Sequence, residues 1–257
     1  MEYILVGIVA LLGSGLTFFS GFGLGTLLLP VFALFFPIDI AIALTAIVHL
    51  LNNVFKFTLV GKKTDVKTVV RFGLPAIIFA FAGAYILGLL TDVAPIYSYH
   101  IASKTYQITI VKICIASLLI FFSLFDLIPK LKRLEFDTKY LPVGGALSGF
   151  FGGLSGHQGA LRTAFLIRAG LNKEAFIATG VVIACFIDIS RIVVYTKDIL
   201  QLRDQLDYPM LTTATMMAFA GACIGRKFLT KITIDTIQLV VGILLIVFAL
   251  LLGIGVL

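Results

Sequence analysis

Apolar residues along this chain come in long unbroken runs rather than in alternation. The runs cover residues 4–36, 38–60, 69–90, 106–128, 141–170, 174–195, 208–228 and 233–257. Each supplies the ~20 apolar residues that a bilayer-crossing helix needs. A transmembrane barrel would instead show ~10-residue segments with a polar residue at every second position. The runs lack that period, so the pattern predicts an all-α polytopic membrane protein.

Composition strengthens this reading. The chain is 60% hydrophobic and 13% charged, against about 25% charged in an ordinary soluble domain, and its mean hydropathy is +1.11. A soluble protein is excluded. The first run follows Glu2 rather than a Lys or Arg and outlasts a signal-peptide core, so we expect it to belong to the mature fold. The net charge of +7 sits in short loops, where basic residues set membrane topology; nucleic acid is not implied. Cys114, Cys185 and Cys223 stand alone inside apolar runs, with neither a disulfide framework nor a zinc spacing. No cofactor or metal is expected. Trp is absent, and Tyr3, Tyr97, Tyr99, Tyr106, Tyr140, Tyr195 and Tyr208 fall near the run ends, as interfacial aromatics do; Tyr85 does not.

The chain repeats itself. Ala80-Phe81-Ala82-Gly83-Ala84 recurs as Ala218-Phe219-Ala220-Gly221-Ala222. Collinear with it, Ser20-Gly21 matches Ser155-Gly156, Asn53 and Lys56 match Asp188 and Arg191, and Thr45 lies within one residue of the position matching Thr179. The series predicts two homologous halves, 1–130 and 138–257, within one membrane domain. They are joined by a charged linker from Pro129 to Lys139 centred on residues 131–137.

Loop charge decides how the halves are related. The loop at 61–71 (Lys62, Lys63, Lys67, Arg71) and the linker (Lys130, Lys132, Arg133, Lys139) are basic and belong inside. In the second half the basic loops are those with Arg168 and Lys173 and with Arg226, Lys227 and Lys231, whereas the loop at 196–207 carries more acids than bases. Parallel halves would put two basic loops outside. The conflict disappears if each half opens with a re-entrant helical hairpin followed by three crossings, the second half inverted. Both first runs are interrupted near their middle, by Ser20-Gly21-Phe22-Gly23-Leu24-Gly25 and by Ser155-Gly156-His157-Gln158-Gly159. Both termini are then expected outside, and inverted repeats with broken helices meeting near the midplane are a transporter architecture.

A break at that depth frees backbone N–H groups and aims a helix N-terminus at the centre, which suits an anion. Arg162 follows one break within a turn, and His157 and Gln158 lie on it. A buried guanidinium needs a ligand or a partner; Asp188 is the candidate partner, and whether it pairs with Arg162 or Arg191 is open. His49, Asn52, Asn53 and Lys56 share one helical face. His49 can carry a proton or make an interhelical hydrogen bond, and Lys56 can join the site or snorkel to an interface. Thr45 and Thr179 can bond a ligand or their own helix. The expected substrate-binding set is thus Arg162, His157, Gln158, Ser20, Gly21, Gly23, Ser155, Gly156, Thr45, Thr179, Asn52 and Asn53. His49, Lys56, Asp188 and Arg191 are the expected coupling or gating set. Gly21-x-Gly-x-Gly follows no strand and is not a nucleotide loop.

The glycine-rich Ser20–Gly25 segment running into Leu27-Leu28-Leu29-Pro30, the Thr45 segment after it and the restart at Gly144 resemble the sulfite exporter TauE/SafE family of membrane permeases. That resemblance implies a secondary transporter, not an enzyme, exporting sulfite or a small organosulfonate through a bacterial-type cytoplasmic membrane. His157 and Gln158 depart from the family's glycine-dense second motif. The expected partners are a small anion and the lipid bilayer, with a homo-oligomer open. The rival readings are a non-transporting assembly or structural membrane protein and, with no nucleophile and base in sight, a membrane-embedded enzyme.

Overall fold

The computed structural model describes residues 1–20, 24–102, 104–201, 206–228 and 234–257. The described helices are α1 (Glu2–Ser20), α2 (Leu24–Ala33), α3 (Ile38–Val60), α4 (Val66–Thr91), α5 (Ile110–Leu127), α6 (Pro129–Lys132), α7 (Leu141–Ser155), α8 (Gly159–Leu166), α9 (Lys173–Gln201), α10 (Tyr208–Phe228) and α11 (Ile234–Gly253). Three of them, over Ile40–Lys63, Val66–Thr91 and Lys173–Thr196, are long and apolar enough to cross a membrane. The surface is that of a protein in lipid: Leu12, Leu74, Ile78, Val193, Leu244 and Leu250 face outward. His49, Asn52, Asn53, Lys56, Gln158, Asp188 and Arg191 are buried. In lipid, polar groups belong inside because only the protein interior offers them partners.

Close backbone approach builds the bundle. A Cβ placed on Gly145, Gly149 or Gly153 of α7 would run into the carbonyl oxygens of Phe72, Ala76 and Ala80 on α4. Both series advance by four residues, so α4 and α7 run parallel and touch through their backbones. Gly221 and Gly225 of α10 stand in the same way against Leu11 and Gly15 of α1. The repeated pentapeptide has a common use here, since Gly83 seats on Phe150 of α7 and Gly221 on Leu11 of α1. Lipid tails give no hydrophobic drive between helices, and small residues that permit such contact take its place.

Two further helix pairs run antiparallel. Asp188 of α9 meets His49 and Asn53 of α3, while Thr179, two turns earlier on α9, accepts the N–H of Asp65 beyond the end of α3 at 3.0 Å. Gly242 packs on Leu127 and Gly253 on Ala116, so α11 descends where α5 ascends. Asp65 also caps α4, accepting from the Thr68 N–H at 2.8 Å. Thr68, through its hydroxyl and its N–H, holds the Asp65 carboxyl below the usual carboxylate range.

Polar contacts tie the loops together at the two ends. Lys63 lies 3.7 Å from Glu174, and Arg168 donates to Glu135 at 3.0 Å. The Phe136 N–H bonds the Ala164 carbonyl at 3.1 Å, which brings the start of α7 beside the end of α8. At 15 and 8 residues, these limbs are about 22 and 12 Å long, too short to cross ~30 Å of hydrocarbon. They form a hairpin that enters the bundle and returns. At the opposite end the Tyr3 hydroxyl donates to Asp207 and the Tyr99 hydroxyl to the Ile254 carbonyl, each at 2.7 Å.

One expectation is corrected and one open alternative is decided. The fold is mostly helical rather than all-α, because Tyr97–Ile101 (β1) and Lys104–Ile108 (β2) pair antiparallel. Tyr97, Tyr99 and Ile101 alternate with polar residues opposite Lys104, Tyr106 and Ile108, a period-2 pattern that the apolar run starting at 106 obscured. The Tyr99 and Tyr106 rings stack across the strands at 5.4 Å. Lys56 does not snorkel: it is buried at 4% exposure, near enough to Arg162 for their charges to interact.

Candidate functional site

The hairpin tip follows from one glycine. Helix α7 ends when Gly156 turns left-handed at φ 80°, its N–H closing on the Gly152 carbonyl at 2.9 Å. Only glycine enters that conformation without strain. His157 and Gln158 fill the bend, and α8 starts at Gly159. The bend is deep in the protein, with His157 and Gln158 at 4% and 1% exposure.

Each side chain at the tip is held by one end. The Ser155 hydroxyl donates to the Phe151 carbonyl at 3.0 Å and lies 3.2 Å from His157 Nδ1. The imidazole stacks on Phe122 of α5, with centroids 5.8 Å apart and planes 9° from parallel. Gln158 Oε1 accepts from Arg162 Nη1 at 3.1 Å, and the Gln158 carbonyl accepts from Ser148 at 3.1 Å. The other ends, His157 Nε2 and Gln158 Nε2, are enclosed and have no hydrogen-bond partner. An enclosed polar atom left unpaired costs about 1–3 kcal/mol.

Beside the tip lies a buried charge cluster. Asp188 Oδ2 is 2.6 Å from His49 Nδ1 and accepts from Asn53 at 3.2 Å. Its Oδ1 accepts from Arg191 Nε at 3.1 Å and faces Arg191 Nη2 at 2.9 Å. Of the two pairings open in the sequence, Asp188 with Arg191 is the direct one. Nη2 is near enough for charge pairing, yet it makes no well-directed hydrogen bond. The guanidinium also reaches the bend, because a Cβ on Gly156 would stand 2.8 Å from Arg191 Nη1. Cluster and tip therefore form one continuous assembly. Arg162, half-buried, lies along Gly180 of α9.

The predicted residues of the first half are less gathered. Gly21 and Gly23 lie outside the described residues, as does the side chain of Ser20. Gly25 faces Thr45 and His49. Thr45 Oγ1 is enclosed without a partner, so it does not bond its own helix. Asn52 accepts from Ser14 of α1 at 2.8 Å and leaves Nδ2 unpaired. Thr179 is already engaged by Asp65, and Asn53 by Asp188. Sequence reasoning missed Ser14, Ser148 and Phe122. The two serines sit in glycine-rich stretches and were readable as polar residues on packing helices; Phe122 is one of many apolar residues in its run and carries no signal.

A family model described as Sulfite exporter TauE/SafE matches residues 4–252. No curated protein and no solved structure matches the chain.

Proposed function

The chain belongs to the sulfite exporter TauE/SafE family, whose members are membrane transporters and not enzymes, and from that premise we propose that it is a secondary exporter of a small anion, sulfite or an organosulfonate, bound at the α7–α8 tip. The observation that carries the reading is the enclosed amide of Gln158, whose two N–H groups on Nε2 have no acceptor. Arg162 and Arg191 stand beside it. Donated N–H groups and positive charge converge there, the N-terminus of α8 adds its positive end, and an anion satisfies the donors left open. Thr45, Asn52 and Gly25 form the facing wall, and His49 with Asp188 is the proton-carrying element. In sulfite-loaded proteoliposomes the protein is expected to release sulfite. Arg162→Ala should slow that release about tenfold or more, the scale of a lost charge-assisted hydrogen bond. No anion flux from the wild type, or full flux from Arg162→Ala, would refute the reading.

The alternating-access scaffold we propose is the inverted pair 1–130 and 138–257. Support comes from the helix directions: the repeat-related helices α3 and α9 are antiparallel, as are α5 and α11, whereas α1 packs on α10 as α4 packs on α7. An axis lying across the helices produces that pattern; an axis along them would not. The basic loop ends then lie inside and both termini outside. After replacement of the three native cysteines, His100→Cys should react with a membrane-impermeant maleimide on intact cells, and Glu135→Cys only after permeabilisation. The reverse pattern, or equal labelling, rejects the topology.

A further inference from the structure

The site holds two guanidinium groups, and the geometry points to different roles for them: Arg191 touches the anion, while Arg162 is a positioning residue that acts through Gln158. This assignment rests on the anion-site reading above. Arg191 is 1% exposed and held on Asp188 through Nε and Nη2, both on Oδ1. Asp188 is itself fixed from the other side by His49 and Asn53 on Oδ2. The fork thus cannot swing toward another acidic partner; Nη2 pairs with Oδ1 at 2.9 Å without a well-directed hydrogen bond, and of its two N–H groups at most one can face that oxygen. Nη1 lies under the Gly156 bend, beside the residues whose Nε2 atoms are also unsatisfied.

Arg162 has a different geometry. Its Nη1 is committed to Gln158 Oε1 at 3.1 Å, across one helical turn. Arginine can only donate, so it selects the amide orientation in which Gln158 turns its oxygen to Arg162 and its NH₂ into the enclosed space. Without Arg162 the amide is free to flip and offer an acceptor oxygen to the anion, which repels it. The set presented by Arg191 and Gln158 is donor-only. It suits a ligand with two or more acceptor oxygens on one face, as in a sulfite or sulfonate group, and disfavours a protonated acid that needs an acceptor. Gly156 is required twice: for its φ of 80° and because a Cβ there would stand 2.8 Å from Arg191 Nη1 and crowd the guanidinium.

Calorimetric titration of the detergent-purified protein with sodium sulfite, and in parallel with sodium methanesulfonate, tests the assignment. The double variant Asp188→Asn/Arg191→Gln removes both charges and strands neither. It should stay monodisperse and bind about 100-fold more weakly, the scale of a lost charge-assisted contact. Arg191→Lys keeps the charge and loses the fork, and should bind about tenfold more weakly. Arg162→Gln should weaken binding about tenfold in the wild type but less than about twofold once Gln158 is Ala, because two residues acting through one contact are non-additive. A further tenfold loss from Arg162→Gln in the Gln158→Ala background overturns the positioning role. Binding within about threefold of wild type by Arg191→Lys and the double variant overturns the contact role. A wild type that binds neither probe overturns the anion site and this assignment with it, an outcome separate from the other two.

Discussion

Gly149→Ala is expected to cost about 3 kcal/mol or more of stability, enough to deplete the folded protein, although it adds a single methyl group and improves helix propensity. The new Cβ would overlap the carbonyl oxygen of Ala76, a backbone atom that cannot rotate away. Gly145 and Gly153 hold the same relation one turn to either side, against Phe72 and Ala80. Relief therefore requires α7 to separate from α4 along its length, which gives up the dispersion contacts that join helices in lipid. The bend with His157 and Gln158 is carried on α7, so the site moves with it. Gly88→Ala, on the partner helix α4, is the control: nothing lies within 4 Å of the added atom, and its effect should stay within about 0.5 kcal/mol. Thermal unfolding and the monodisperse fraction in detergent read both variants. Equal stability of the two would show that backbone contact between α4 and α7 does not hold the bundle together.

Such contacts explain what the sequence could and could not reveal. Helix positions were legible because run length and apolarity are local properties, and the break at Ser155–Gly159 was legible because glycine and polar residues interrupt a run. The repeated Ala-Phe-Ala-Gly-Ala was visible as a repeat, but its purpose was not. That Gly83 seats on α7 and Gly221 on α1 is a long-range fact with no local trace. The same holds at the site. Spacing put His49, Asn52, Asn53 and Lys56 on one face, yet Asn53 turns to Asp188 while Asn52 turns to Ser14, a division set by what stands opposite. Phe122, which stacks on His157, is indistinguishable in sequence from the phenylalanines around it. The β1–β2 pair was hidden for another reason: its alternation is only a few residues long and abuts an apolar helix.

Asp188→Ala is the second large effect expected, about 3–5 kcal/mol of destabilisation together with loss of sulfite release. The carboxylate is fully buried and is approached by His49 and Asn53 on one oxygen and by Arg191 on the other. Its removal leaves a guanidinium, 1% exposed, with neither water nor counter-charge, and strands the imidazole and amide donors beside it. A buried charge without its partner costs far more than the pair contributes, because desolvation of both groups has already taken place. Asp188→Asn/Arg191→Gln should therefore be the more stable protein, within about 1.5 kcal/mol of wild type, since it removes the charges together and keeps a hydrogen bond in nearly the same volume. That ordering, with the double variant above the single one, separates a charge-balance role from a packing role: loss of packing would make the double change at least as damaging as Asp188→Ala. Unfolding midpoints of the two variants in the same detergent decide between them, and sulfite release from the stable double variant shows whether the charges serve transport as well as folding.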